Sequence, residues 1–104
     1  MMGVVSLLEI SRVFENAELA YWLGRPYRGF GYATEAARLV LAFGFGTLAL
    51  HRIYAFYLSH NLNSARVLER IGMRHEGELR HHIKKDGVFV NSGIYGLLAQ
   101  EFNA

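Results

Sequence analysis

The chain has 104 residues, 52% of them hydrophobic, and a formal charge of +2. This length and composition predict a single packed domain over residues 1–104 and argue against an intrinsically disordered chain. The small charge argues against a nucleic-acid-binding surface. There are no cysteines, which excludes a disulfide framework, a thiolate nucleophile and a cysteine metal site and fits a reducing compartment.

No segment predicts a membrane span or a secretion signal. The longest apolar run, Leu39–Leu50, has about twelve residues where a span needs about twenty, and Gly44 and Gly46 interrupt it. The N-terminus lacks the basic region of a signal peptide. We therefore expect a cytoplasmic protein.

The first two apolar segments predict an antiparallel hairpin. Val4–Ile10 is apolar and β-branched, Ser11–Asn16 is polar, and Ala17–Leu23 alternates along the chain. Successive side chains of a strand point to opposite faces, which places Glu18 on one face and Leu19 on the other.

A glycine-rich loop follows this hairpin. The string Arg28-Gly29-Phe30-Gly31-Tyr32-Ala33 leads into an Ala- and Leu-rich run that predicts a helix from Ala33 to Gly44 or Gly46, mostly covered by protein. A helix start offers unpaired N–H groups and the positive end of the helix dipole, which suit a phosphate or pyrophosphate. The loop matches neither the P-loop nor the dinucleotide-binding fingerprint. Taken alone, a tight surface turn explains it equally well.

The second half of the chain predicts a strand, a helix and a hairpin. Arg52–Leu58 is apolar on both faces, as in a central strand covered on both sides. Asn61 or Asn63 can cap a helix that ends at Gly72. The inward stripe of that helix consists of Ser64, Val67, Leu68 and Ile71. Glu76–Lys84 and Val88–Leu98, joined through Lys85-Asp86-Gly87, predict a hairpin.

Two of these segments resemble motifs of the GNAT superfamily of acyl-CoA-dependent N-acetyltransferases. Arg28, Gly31 and Ala33 hold the positions of the family motif Arg/Gln-x-x-Gly-x-Gly/Ala, and the surrounding residues look like the RimJ/RimL-like branch of ribosomal-protein N-terminal acetyltransferases. A second motif, Asn-x-x-Ser-x-x-x-Leu-Glu-Lys-x-Gly-Phe, is matched by Asn61, Ser64, Leu68, Glu69, Arg70, Gly72 and Met73. The resemblance implies an α/β (α+β) chain with the GNAT fold, a mixed and mostly antiparallel twisted sheet with two helices.

One part of the family pattern has no counterpart here. A full-length member begins with a strand, two helices and another strand before the residue that matches Gly3, and these elements usually wall the amine-acceptor pocket. We therefore expect an N-terminally truncated form of the fold. A sheet beginning at Gly3 would leave an unpaired edge and an uncovered apolar face, which predicts self-association, for example as a homodimer.

The resemblance implies direct transfer of an acetyl group from acetyl-CoA to a primary amine, either a protein N-terminus or a small molecule. In the family, the strand ending at Trp22-Leu23 splays away from Tyr54–Leu58, and the pantetheine arm of coenzyme A pairs with the freed backbone. Backbone N–H groups of the glycine loop then bind the pyrophosphate. The implied cofactor-binding residues are Trp22, Leu23, Arg28, Gly29, Phe30, Gly31, Tyr32, Ala33, Asn61 and Ser64.

Two residues are candidates for proton transfer. Several family members use a Tyr to protonate the departing thiolate, but its position is occupied here by Leu68, which cannot donate a proton. Ser64 is therefore the candidate donor. Equally, the Ser64 hydroxyl can simply bond to backbone at a helix start. Glu18 is the candidate general base, and a surface carboxylate is the competing explanation. A set of rings can line an acceptor pocket or pack in the core: Tyr21, Trp22, Tyr27, Phe30 and Tyr32.

The five histidines lack ligand spacing, so no metal site is predicted. The expected partners are acetyl-CoA and an amine, without nucleic acid or membrane. A second hypothesis stays open, in which the chain is a catalytically silent acyl-CoA-binding module or a truncated remnant without an acceptor pocket.

Overall fold

The structure, a computed structural model, describes residues 3–23, 30–59 and 62–102. Within these ranges one five-stranded sheet has the strand order β1-β2-β3-β5-β4, and two α-helices connect or follow its central strands. The elements in chain order are β1 (Gly3–Ser11), β2 (Asn16–Leu23), α1 (Phe30–Ala42), β3 (Arg52–Leu58), α2 (Leu62–Arg70), β4 (Arg74–Lys85) and β5 (Val88–Leu98).

The sheet is mixed and mostly antiparallel, which confirms the predicted fold class. β1 pairs with β2, β3 with β5 and β4 with β5 in antiparallel register, while β2 and β3 are parallel. Both predicted hairpins are present. At the tip of the second, Asp86 and Gly87 have φ angles of 51° and 80°, as a type I′ turn requires at its two central positions.

The core lies on one face of the sheet, which we call the helix-covered face. Leu19 of β2, Ile53 of β3 and Leu97 of β5 are at most 2% exposed and form one cluster with Leu41 of α1 and Leu68 of α2. Because strand side chains alternate, the intervening residues point to the other side, the open face. Neither α1 nor α2 packs against that side.

Two predictions about coverage are therefore wrong. β3 is central, but only one of its faces is covered by helices, since Tyr54 and Phe56 stay partly exposed on the open face. The first helix is also less covered than its composition predicts, because Leu39 and Phe43 are 68% and 52% exposed. The sequence pattern records apolarity and does not identify what packs on it.

The exposed stripe of α1 borders an apolar groove beside the edge strand β1. This groove has a volume of about 380 Å³ and is lined by Ser6, Leu7, Ile10, Leu39, Val40, Phe43 and Leu48. Within the described residues β1 is an edge strand, as expected, and the groove leaves apolar surface exposed beside it.

The ends of the two helices differ in how well sequence predicted them. α1 begins at Phe30, three residues before the predicted Ala33, and continues into a π-helical turn over Phe43–Thr47. A Cβ atom on Gly44 would lie 2.8 Å from Ile53 Cδ1, so this turn approaches β3 closely. α2 ends as predicted, with Gly72 at a φ of 93°. The Gly72 N–H donates to the Glu69 carbonyl and the Met73 N–H donates to the Leu68 carbonyl. These two hydrogen bonds form a Schellman motif.

The inward stripe of α2 is confirmed: Val67, Leu68 and Ile71 are buried and Ser64 is partly buried, whereas Arg66 is exposed. None of the described helices is both long enough and apolar enough to cross a bilayer.

Candidate active site

The strands β2 and β3 separate after a short paired stretch. Their register covers Asn16 with Arg52, Ala17 with Ile53 and Glu18 with Tyr54, and no further pair. β2 nevertheless runs on to Leu23 and stays paired with β1, while β3 continues and stays paired with β5. Within the described residues the two strands thus form an opening, and the backbone groups of β2 that point toward β3 beyond Glu18 have no strand partner there. The splay implied by the family resemblance is present.

Helix α1 is the next described element after β2 in the chain. Its first turn contains Phe30, Gly31, Tyr32 and Ala33, so these residues belong to the helix and not to the preceding loop as predicted. The first N–H groups of a helix have no partner within it and lie at the positive end of the dipole. Arg28, Gly29 and Asn61 lie outside the described residues, and for Trp22, Leu23 and the turn 30–33 the description concerns the backbone.

Glu18 belongs to the last pair before the opening. Its neighbours Ala17 and Leu19 are buried on the helix-covered face, so its own side chain lies on the open face, where it is partly buried. This burial raises the pKa of the Glu18 carboxyl; the nearby carboxylate of Glu9 raises it further, and the opposing effect of His82 is smaller. A carboxylate with a raised pKa accepts a proton more readily, as a general base must.

Two aromatic rings continue the open face from Glu18 along β3. Tyr54 is the pairing partner of Glu18, and its ring meets the Phe56 ring edge to face, with centroids 5.7 Å apart. The pKa of the Tyr54 hydroxyl is raised, first by burial and then by Glu18 and Glu9. Aromatic faces beside a carboxylate suit an ammonium group.

A salt bridge between Arg52, at the start of β3, and Glu76 of β4 lies on the open face. Arg52 Nη1 donates to Glu76 Oε2 at 2.8 Å and Nη2 donates to Oε1 at 2.5 Å, and the guanidinium lies 5.8 Å from the Tyr54 ring centroid. The hydrogen bonds from Arg52 lower the pKa of the Glu76 carboxyl. A Cβ on Gly96 would lie 2.4 Å from Glu76 Oε2, so this bridge crosses β5 where that strand has no side chain.

Two β-bulges shape the margins of the open face. The register of β1 shifts between Leu8 and Ser11, with Glu9 at a φ of 51°. The register of β4 shifts between Leu79 and Ile83, with His81 at a φ of 51°. A bulge re-aims the side chains around it, so the two shifts change which residues of β1 and β4 border the open face.

Ser64 lies in the first half of α2, which packs on the helix-covered face. It is therefore on the opposite side of the sheet from Glu18. Leu68, at the position where several relatives have Tyr, is fully buried in the core. The candidate donor and the candidate base therefore lie on opposite sides of the sheet.

Sequence reasoning missed several residues of the open face. Tyr54, Phe56 and Ser92 occupy alternate positions on β3 and β5, and period-two alternation could have grouped them with Glu18 had the register between β2 and β3 been known. His82 could not have been found in this way, because the bulge before it breaks the alternation. Among the described residues, no three His, Cys, Asp or Glu side chains are grouped as metal ligands.

Comparison with known proteins gives a consistent result. The sequence profile of the family described as Acetyltransferase (GNAT) domain matches residues 1–74. The probable N-acetyltransferase YjcK of Bacillus subtilis is 39% identical over 99 residues, which cover 94% of this chain and 55% of that protein. The spermidine N(1)-acetyltransferase of Escherichia coli K12 is 33% identical over 90 residues, covering 86% of this chain and 48% of that protein.

A solved structure shares the fold. The ribosomal-protein-S5-alanine acetyltransferase from Vibrio fischeri superposes with a TM-score of 0.91 at 28% identity, covering 99% of this chain and 57% of that one. The present chain thus spans about half the length of the relatives it matches. The family profile, the relatives and the opening between β2 and β3 agree, and the chain belongs to the GNAT family of acetyltransferases.

Proposed function

We propose that the chain transfers an acetyl group from acetyl-CoA to a primary amine, as a member of the RimJ/RimL-like branch acting on a protein N-terminus or a small-molecule amine. The observation that carries this proposal is the opening between β2 and β3, which begins after the Glu18–Tyr54 pair; in the chain, β2 is followed by α1, which begins at Phe30. A pantetheine arm needs an extended backbone to pair with, and a pyrophosphate needs clustered N–H groups. In this chain the extended backbone of β2 and the N–H groups at the start of α1 follow one another along the sequence.

On the cofactor side, we assign the pyrophosphate to the backbone N–H groups from Gly29 to Ala33, with the side chain of Arg28 supplying positive charge. The backbone near Trp22 and Leu23 pairs with the pantetheine arm and offers an N–H to the thioester oxygen. Asn61 contacts the same arm. These roles follow the family motif at positions 28, 31, 33 and 61.

On the acceptor side, we place the amine on the open face. Glu18 and Glu9 attract an ammonium ion, and the rings of Tyr54 and Phe56 provide faces for it. Glu18 removes a proton from the ammonium, and the neutral nitrogen attacks the thioester carbonyl carbon. The attacking nitrogen then loses its second proton to solvent as the C–S bond breaks, and Ser64 protonates the leaving thiolate, regaining its own proton from solvent.

The competing proposal is a catalytically silent acyl-CoA-binding module. The observation that favours it is that the chain spans about half of its relatives, while the open face has no helix on it in the described residues. Both proposals share acetyl-CoA binding and differ only in turnover.

Thiol release from acetyl-CoA over a panel of polyamines, small amines and N-terminal peptides separates the two proposals. Catalysis predicts release that depends on one amine class and falls sharply in Glu18→Gln but not in Glu15→Gln, which changes a carboxylate in the β1–β2 turn. Binding is checked separately by thermal shift, since a ligand at a hundred times its Kd adds about 2.7 kcal/mol. Stabilisation without release on any amine would favour the silent module, and the absence of both would contradict the two proposals together.

We further propose that the protein is cytoplasmic and forms a homodimer that covers the groove beside β1. Exposed Ile10, Leu39 and Phe43 provide the apolar contact that a dimer would bury. Sedimentation velocity at micromolar concentration tests this, because Leu39→Glu should shift a dimer toward monomer. A monomer for both proteins would contradict the proposal.

A further inference from the structure

The β4–β5 hairpin contains a cavity beside the bulge of β4. The cavity has a volume of about 580 Å³ and is lined by Arg80, His81 and Asn91. The Asn91 carbonyl accepts the Ser59 N–H at 3.1 Å, which places the cavity near the end of β3 on the side where β3 pairs with β5. The opening of the candidate active site is on the other side of β3, toward β2. The cavity is therefore separate from that opening.

Side chains hold the bulge in place. The His81 N–H donates to Asn91 Oδ1 at 3.0 Å, and Asn91 Nδ2 donates to Glu78 Oε2 at 2.7 Å. The His81 ring stacks on the Phe89 ring, with centroids 6.1 Å apart and an interplanar angle of 17°. His81 has a φ of 51°, and a non-glycine residue in the left-handed region costs free energy and persists only where its surroundings hold it. The cavity thus belongs to a braced and strained segment, the kind of backbone that is found at binding sites.

The same hairpin carries the excess positive charge of the chain. Residues 80–91 contain Arg80, Lys84 and Lys85 against one carboxylate, Asp86, so their formal charge of +2 equals that of the whole chain. All three cations are exposed. Within the described residues none of the three forms an ion pair, whereas two other arginines are paired with glutamates. These cations are therefore available to an external anion.

Apolar side chains lie beside these cations. Val88 and Phe89 are 62% and 55% exposed, and Lys84 Nζ lies 5.5 Å from the centroid of the Phe89 ring. In the described sheet β4 is an edge strand, so no neighbouring strand covers this side of the hairpin. A partner at this site can thus gain apolar contact as well as charge neutralisation.

The charge of the hairpin decides which occupant fits it. A second copy paired along β4 would bring the cations of the two hairpins together, and like charges at an interface are unfavourable. A nucleic acid needs many phosphate contacts, but the chain outside residues 80–91 has no net charge to extend the patch. A short acidic polypeptide needs two or three carboxylates, and its apolar side chains can contact Val88 and Phe89.

We propose that the cavity beside the β4 bulge binds the carboxylates of an acidic polypeptide segment. Arg80 supplies the guanidinium at the cavity, whose planar fork suits a carboxylate, and Lys84 adds a second cation beside Phe89. This inference goes beyond the proposed function and does not depend on it, because binding at the hairpin requires neither acetyl-CoA nor turnover.

The test is an NMR titration of the full chain with hexaglutamate, using hexaglutamine as the uncharged control. Hexaglutamate should change the amide shifts most at residues 80–91, and hexaglutamine should leave them in place. Arg80→Gln should weaken hexaglutamate binding about 2- to 5-fold, as expected for one exposed ion pair. Arg80→Gln combined with Lys84→Gln should weaken it about 4- to 25-fold if the two effects add. The matched control is Arg66→Gln, which removes an exposed arginine of α2 and should change Kd by less than about 1.5-fold.

A second titration with octauridylate represents the nucleic-acid alternative. Octauridylate should bind residues 80–91 no more tightly than hexaglutamate, and tighter binding would overturn the inference in favour of a nucleic-acid partner. Equal weakening in Arg66→Gln and Arg80→Gln, or shift changes spread over the whole surface, would overturn it in favour of nonspecific attraction. The absence of any shift change at millimolar hexaglutamate would also overturn it. Thiol release from acetyl-CoA is measured separately, so failure of the proposed function leaves this result unchanged.

Discussion

On the helix-covered face of the sheet, Ile53 and Ala55 of β3 are completely buried, while on the open face Tyr54 and Phe56 of the same strand stay partly exposed among titratable groups. The difference arises from strand alternation, which gives neighbouring residues different surroundings. Stability is therefore expected to depend on one face and proton transfer on the other.

The largest effect is expected from Glu18→Gln. Loss of a general base lowers kcat/KM by about 10²- to 10⁴-fold, and steady-state kinetics with the best amine should show this loss. The same change should not lower the free energy of unfolding at pH 7. Because burial raises the pKa of Glu18, the native state binds its proton more tightly than the unfolded state, and this carboxylate opposes folding as pH rises through its pKa.

The kinetic control is Glu15→Gln, which should retain full activity. If Glu18→Gln kept more than a tenth of the wild-type kcat/KM, another group would have to be the base. A large loss of stability in Glu18→Gln would instead contradict the division between the two faces.

The helix-covered face is tested by Leu68→Ala. Truncation of this fully buried side chain should lower the free energy of unfolding by about 2–5 kcal/mol, because transfer and cavity terms add. The control is Val13→Ala in the β1–β2 turn, where the side chain is 85% exposed and the effect should stay within about 0.5 kcal/mol. Urea denaturation measures both. Equal effects would contradict the burial described here.

A pair of glycines separates backbone strain from packing. Gly72 ends α2 at a φ of 93°, and neither it nor Gly46 has an atom within 4 Å of an added Cβ. Gly72→Ala should therefore cost about 1–2 kcal/mol through left-handed strain alone. Gly46→Ala carries no such strain and should be neutral or stabilising by up to about 1 kcal/mol. Thermal unfolding of both variants checks this, and a destabilised Gly46→Ala with an unaffected Gly72→Ala would contradict the assignment.

The smallest effect concerns the Arg52–Glu76 pair on the open face. Its side chains are 28% and 37% exposed, so Glu76→Gln should cost only about 0.2–1 kcal/mol at pH 7. Because Arg52 lowers the pKa of Glu76, this stabilisation is present above the ordinary glutamate range. It is lost as pH falls through the lowered pKa. Urea denaturation at neutral and acidic pH should show the difference between wild type and variant disappearing in acid; a difference that grows in acid would reverse the sign.

Sequence predicted those parts of the fold that depend on local chemistry. Gly72 identified the end of α2, Asp86-Gly87 identified a hairpin, and alternation assigned the faces of Glu18 and Leu19. Each of these follows from residues within a few positions of one another.

The remainder depends on contacts that are distant in sequence. The π-helical turn after α1 reflects the approach of Gly44 to Ile53, and the bulges at Glu9 and His81 place non-glycine residues in the left-handed region with no local signal. The opening between β2 and β3 was predicted only from the family resemblance. A helix connects these two strands, and the register between them cannot be predicted from the sequence of either strand. His82 and Ser92 were missed for the same reason.

We propose above all that the opening between β2 and β3, together with the start of α1, binds acetyl-CoA. Amide chemical shifts measured by NMR during titration with coenzyme A test it most directly. If coenzyme A binds there, the largest changes are expected at residues 19–23 and 30–33, with little change at the β4–β5 turn around Asp86. Changes centred on that turn, or none at saturating coenzyme A, would contradict it.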